Sequence, residues 1–164
     1  MRKVKAKELS LEDFRNYGTF ANLLQPELYG FGEPPIQFFR DMLQLSLGVP
    51  AASFSVNVVA RRPFVITKTE FHSSCGEGIL PLDNDILIHC GPATRNGVTP
   101  FDQFEVFRVP KGTMVCLKPG VWHHAPFALG DKPAHILVVL PERTYANDCG
   151  VVELKADQQI EIQP

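Results

Sequence analysis

The stretch Lys118-Pro-Gly-Val-Trp-His-His-Ala-Pro-Phe127 places two adjacent histidines after the chain's only tryptophan and a Pro-Gly turn. Side chains of a strand alternate between its faces, so Val121, His123 and Ala125 share one side and Trp122 and His124 the other. The two histidines therefore cannot do the same work. If His123 points into a barrel, Trp122 packs beneath the sheet and His124 faces an outer layer or an interface.

A second stretch has the same character. Along Pro63 to His72 alternation puts Ile66, Lys68, Glu70 and His72 on one face and Val65, Thr67, Thr69 and Phe71 on the other. Burying Glu70 and His72 together is costly unless they meet a cation, a substrate or each other. Glu77 follows after four residues, and Leu82-Asp-Asn-Asp85 supplies a turn.

Around these two stretches the texture is all-β. From Pro35 onward, short runs of β-branched and aromatic residues are broken about every ten positions by Pro, Gly, Asn or Asp. The runs predict strands at Phe38–Leu47, Ser53–Ala60, Pro63–His72, Gly78–Leu80, Asp85–Cys90, Asp102–Val109, Met114–Leu117, Val121–Phe127, His135–Leu140 and Gln158–Ile162. So many short strands with little helix imply a closed barrel or a two-sheet sandwich. Ser10 followed by Glu12 and Asp13 predicts one short helix ending by Gly18. The Gly- and Pro-punctuated segment from Phe20 to Pro35 reads as an irregular arm. The expectation is a single domain over 1–164, with helix and arm in 1–35 and the barrel in 36–164.

A chain of 164 residues, 45% hydrophobic, is long enough for one adequate core. The formal net charge of −2 and the absence of basic runs beyond the first seven residues argue against nucleic acid or anionic membrane as partner. A small molecule is the default. No apolar run approaches the roughly 20 residues that cross a bilayer, and the basic N-terminus leads into no hydrophobic signal core, so the expected compartment is the cytoplasm. Cys75, Cys90, Cys116 and Cys149 lack C-x-x-C spacing and read as free thiols, mostly buried.

With these residues in view, the chain resembles the cupins. Thr69-Glu-Phe-His-Ser-Ser-Cys-Gly-Glu77, running on to Asp85, resembles the first cupin motif, with Glu70 where its first histidine usually stands. Gly112 to His124 resembles the second. Within the cupins the chain is similar to the ureidoglycolate lyase family, through Val121 to Ala128, the proline-led strand ending in Glu70-x-His72, Asn147-Asp148-Cys149, Tyr17-Gly18 and Phe39-Arg40-Asp41. Two departures stand out: Lys118 where the family often has a histidine, and Glu77 where it often has glutamine.

The resemblance implies a double-stranded β-helix, or jelly-roll, barrel and a metal site built from Glu70, His72, Glu77 and His123. Two imidazoles with one or two carboxylates suit a borderline divalent ion such as Ni, Mn, Zn or Fe. It also implies cleavage of the C–N bond of ureidoglycolate to glyoxylate and urea. That step needs a base for the hydroxyl proton, a proton for the leaving nitrogen, and positive charge near the α-carboxylate. Glu77 or His123 is placed to take the proton. Lys118 is counted with Glu77 and His123 among the catalytic candidates through its positive charge near the carboxylate, and Lys68 and Arg40 are candidates to hold the substrate, Arg40 and Asp41 reading equally well as a strand-end ion pair. Two other readings remain open, because cupins host many reactions: another metal-dependent cupin enzyme, either an iron-dependent dioxygenase or a sugar isomerase, and a non-catalytic small-molecule-binding cupin. The Phe-rich strands (Phe38, Phe39, Phe54, Phe101, Phe104, Phe107) imply apolar surface to cover, hence a homodimer.

Overall fold

The fold is given by a computed structural model that describes residues 1–27 and 29–164. Lysines alternate with small apolar residues at the N-terminus, and β1 (Arg2–Glu8) forms there, turning Val4 and Ala6 inward. Next come the single-turn helix α1 (Leu11–Phe14), β2 (Gly18–Asn22), and a small hairpin of β3 (Gly30–Phe31) and β4 (Phe38–Phe39). The barrel continues through β5 (Ser53–Val59), β6 (Val65–Ile66), β7 (Lys68–Phe71), β8 (Glu77–Pro81), β9 (Ile86–Cys90), β10 (Glu105–Val109) and β11 (Thr113–Leu117). It closes with β12 (Phe127–Ala128), β13 (Ala134–Leu140), a second single-turn helix α2 (Thr144–Asn147), β14 (Gly150–Glu153) and β15 (Ile160–Gln163).

Two sheets carry the architecture. One has the order β12-β9-β10-β1-β15-β6 and the other β2-β11-β8-β13-β5, with the β14-β7 pair beside them. The order is non-sequential because hairpins cross between sheets, as in a jelly roll. Ile79, Ile86, Ile88, Phe107, Val115 and Ile136 fill the space between the sheets. Leu87, Phe104, Val106, Trp122, Phe127 and Ile160 form a second cluster on the opposite face of the six-stranded sheet. β9 (ILIHC) is buried at every position because both of its faces are covered. The fold is thus the all-β, cupin-like barrel that the sequence implies.

The N-terminal boundary needs correction. β1 lies parallel between β10 and β15, and β2 pairs with β11, so the first 22 residues belong to the barrel sheets rather than to a separate helix and arm. Within the expected arm, residues 23–27 and 32–35 lie outside the strands, and Leu28 lies outside the described residues. The helix is also shorter than expected. Ser10 Oγ accepts the Asp13 N–H at 3.1 Å as an N-cap, and the chain leaves the helix at Arg15 to enter β2. Phe38–Leu47 keeps extended pairing only at its first two residues.

Candidate metal centre and its cavity

The Pro119-Gly120 turn starts the site. Gly120 adopts φ +81, a left-handed conformation that suits glycine, and its N–H donates to the His72 carbonyl at 2.6 Å. Beyond it the chain runs antiparallel to β7. The Glu70 N–H donates to the His123 carbonyl at 2.6 Å and the His123 N–H returns to the Glu70 carbonyl at 2.8 Å. Residues paired in this way project side chains to the same face. Glu70 and His123, 53 positions apart by number, thus stand side by side with His72 two residues along.

The face assignments hold from Lys68 onward. Val121 joins the inter-sheet core and Trp122 the outer cluster, where its Nε1–H donates to Thr94 Oγ1 at 2.9 Å. Ile66 departs from the pattern. It packs in the same cluster as Phe71, an odd number of residues away. The ladder changes partner between β6 and β7, from β15 to β14, and Thr67, which lies between the two strands, interrupts the alternation.

One donor atom each from Glu70, His72 and His123 lies within 4.8 Å of the others. Glu77, expected as a fourth member, meets both histidines: its Oε2 is 3.1 Å from His72 Nε2 and 2.9 Å from His123 Nε2. Burial pushes the Glu77 carboxyl up, but His123 and His72 outweigh it and hold it down at about 2. Burial likewise opposes charge on His123, and Glu77 overcomes it to raise that imidazole above its ordinary value.

The outer nitrogens decide how the rings present themselves. His72 Nδ1 faces the Asp148 carbonyl at 2.6 Å, and His123 Nδ1 faces the Val121 carbonyl at 2.8 Å. A carbonyl only accepts, so both Nδ1 atoms carry the proton and both Nε2 atoms turn toward Glu77. Two imidazole lone pairs pointing at a carboxylate oxygen are repulsive unless a cation, proton or metal, lies among them. That donor set, with Glu70 adjacent, fits a divalent ion held by two imidazoles and a carboxylate.

The centre opens on a cavity of about 160 Å³, smaller than the roughly 300–1,000 Å³ of drug-sized pockets. Asn57, Tyr145 and Cys149 add polar groups to its wall, while Ile79, Ala125, Pro126, Val138 and Leu140 make it half apolar. Among the described residues that line it there is no lysine or arginine. A larger groove of about 380 Å³, lined by Asp41 to Gln44 and Cys116 to Pro119 among others, contains none of the four centre residues.

The three candidate substrate-holding cations lie elsewhere. Lys118 Nζ donates to the Arg15 carbonyl at 2.6 Å, just past the end of α1. Lys68 pairs with Glu153 at 3.0 Å across the β7–β14 ladder. Arg40 lies over the rings of Tyr29 and Phe31 in the arm. Their backbone positions were legible, but long cationic side chains find whichever acceptors are nearest.

Three further residues support the centre. Cys149 Sγ donates to Glu70 Oε2 at 3.3 Å; burial, then Glu70, push its thiol up to about 12, so it stays protonated. Arg62 donates to the carbonyls of Ala125 and Pro126 behind the cavity wall and covers the Phe127 ring. His89, buried in β9, approaches Thr69 Oγ1 at 3.1 Å, and Thr69 donates to the His123 carbonyl. Burial pushes His89 well below its ordinary value, so it is neutral. A histidine inside the aliphatic run of β9 was the available signal for this second layer.

A jelly-roll barrel with two imidazoles and a carboxylate converging on an interior cavity defines a protein of the cupin class. Within it, the ureidoglycolate lyase family model matches residues 1–162, and the chain belongs to that family. No curated protein matches it in sequence. Among solved structures it is similar to oxalate decarboxylase from Bacillus subtilis. One such structure, studied for its Mn(II) centres, is 14% identical with a TM-score of 0.43, and a serine-to-alanine mutant is 14% identical with a TM-score of 0.44. In both cases 63% of this chain is covered, and the chain spans 24% of the length of the neighbour.

Proposed function

We propose that the protein is a metal-dependent ureidoglycolate lyase, cleaving its substrate to glyoxylate and urea. Membership of the family over residues 1–162 carries this reading. The charge of the cavity supports the metal. Its wall holds Glu70 and Glu77 and no lysine or arginine among the described residues, so an anionic hydroxy acid has no counter-charge there other than a cation held by Glu70, His72 and His123. Bound there, a borderline divalent ion (Mn, Fe, Ni or Zn) would supply positive charge to the α-carboxylate and acidify the hydroxyl.

Glu77 is then the base in this chain, which departs here from the glutamine that the family often has. His123 has its Nδ1–H committed to a carbonyl, and with an ion bound its Nε2 would serve as a ligand, which leaves the Glu77 carboxylate to take the hydroxyl proton. The carbonyl of glyoxylate forms as the C–N bond breaks, its electron pair leaves with the ureido nitrogen, and the protonated Glu77 returns the proton to that nitrogen. One proton moves from oxygen to nitrogen with no net change. Asn57 and Tyr145 offer an amide and a hydroxyl to the ureido group. Glyoxylate release from ureidoglycolate should vanish on chelation and return with added metal; equal release from chelated protein contradicts the reading.

Two histidines and one carboxylate beside an apolar wall also favour a second reading, a non-haem iron oxygenase. Dioxygen uptake by the Fe(II)-loaded protein with small organic acids tests it. Four free cysteines support a cytoplasmic setting. The exposed row Phe54, Val56 and Val58 on β5 supports a homodimer.

A further inference from the structure

The segment after α2 reaches the centre from outside the two motifs. Asp148 is engaged through both its backbone and its side chain. Its carbonyl accepts His72 Nδ1–H at 2.6 Å, while its carboxylate accepts the N–H groups of Ser73 and Ser74, each at 2.8 Å. Ser74 Oγ donates to the same carboxylate at 2.5 Å. The loop leaving His72 is thereby tied to the residue that fixes the His72 ring. The next residue, Cys149, donates to Glu70 Oε2 at 3.3 Å. Gly150 then pairs with Phe71 as β14 joins β7.

We propose that Asp148-Cys149 is a positioning clip for the metal centre: Asp148 sets the tautomer and rotation of His72, and Cys149 aims the Glu70 carboxylate without itself ligating. The proposal rests on the metal-dependent reading above. Two adjacent residues reach both Glu70 on β7 and His72 just beyond its end, whereas His123 is oriented independently, by the Val121 carbonyl. Loss of the clip therefore disturbs one side of the centre and spares the other. Partners that orient metal ligands typically contribute about 10- to 100-fold in affinity.

Co(II) is the probe, titrated calorimetrically into chelated protein. Cys149→Ala should weaken binding by about 10-fold or more, and Cys149→Ser, which keeps a hydroxyl donor, should restore most of it. Unchanged affinity in Cys149→Ala overturns the proposal. So does a thiolate-to-cobalt charge-transfer band in the wild-type protein, which makes Cys149 a ligand.

A second readout needs no metal. In nitrogen-15 spectra of the chelated protein, His72 and His123 should each show a fixed Nδ1–H. Asp148→Ala keeps the backbone carbonyl but releases it from the Ser73 and Ser74 donors, so the Nδ1–H should exchange faster at His72 alone, and unchanged protection at His72 overturns the clip. If Asp148→Ala does not fold, Asp148→Asn, which sets an amide NH2 against one of the Ser73 and Ser74 donors, is read the same way. Absence of Co(II) binding by the wild type contradicts the metal reading, and the imidazole spectra still decide the clip.

Discussion

Glu77 Oε2 and His123 Nε2 meet at 2.9 Å, although they belong to different cupin-like motifs and lie on different elements. The contact joins the group proposed to move the proton to a ring whose other nitrogen is already held. Substituting Glu77→Gln keeps the volume and removes the base. Glyoxylate release should fall by about 10²- to 10⁴-fold, with Co(II) affinity far less affected. Wild-type turnover in the variant removes Glu77 from the mechanism.

His72 and His123 carry the ion together in this account. His72→Ala and His123→Ala should each abolish stoichiometric metal binding while leaving a cooperative melt. Elemental analysis of reconstituted variants measures this, and one bound ion per chain in either variant argues against the assigned centre.

Asp85 supplies a pH dependence away from the site. Burial pushes its carboxyl up, but the Lys111 N–H at 3.0 Å and the Arg108 guanidinium at 2.8 Å outweigh it and hold it below its ordinary value. A carboxyl depressed in the folded state stabilises above its unfolded value of about 3.9, and the gain is lost as pH falls through the folded value. The Tm of Asp85→Asn should therefore fall below wild type at pH 6 and converge with it in strong acid. An equal gap at both ends contradicts the linkage.

Gly120 holds the turn that delivers His123. At φ +81 an alanine is strained, and its Cβ would lie 3.0 Å from that of Ala93. Gly120→Ala should cost about 1–2 kcal/mol, read as a lower denaturant midpoint at unchanged slope.

The row Phe54, Val56 and Val58 is 70%, 58% and 59% exposed on the edge strand β5. If it covers a second copy, Phe54→Glu should convert the dimer into an 18.3 kDa monomer by light scattering. A wild-type protein that is already monomeric contradicts the dimer.

Much of this was legible in the sequence, for physical reasons. Glu70, His72 and His123 were readable because alternation on two strands converts spacing directly into a shared face. Trp122 followed from the same rule. Lys118 and Lys68 were not, since a flexible cation ends where an acceptor waits, here the Arg15 carbonyl and Glu153. β1 carries the alternation of lysine with valine and alanine, but its partners β10 and β15 are distant in sequence, so nothing local marks it as a barrel strand. Asp148 orients His72 through a backbone carbonyl, and no side-chain pattern announces such a contact.

The most direct test is a crystal of the protein soaked in Mn(II) and measured for anomalous scattering. One strong peak is expected within bonding distance of His72 Nε2, His123 Nε2 and a Glu70 carboxylate oxygen. A cavity without that peak, or a peak bound by other residues, contradicts the assigned centre.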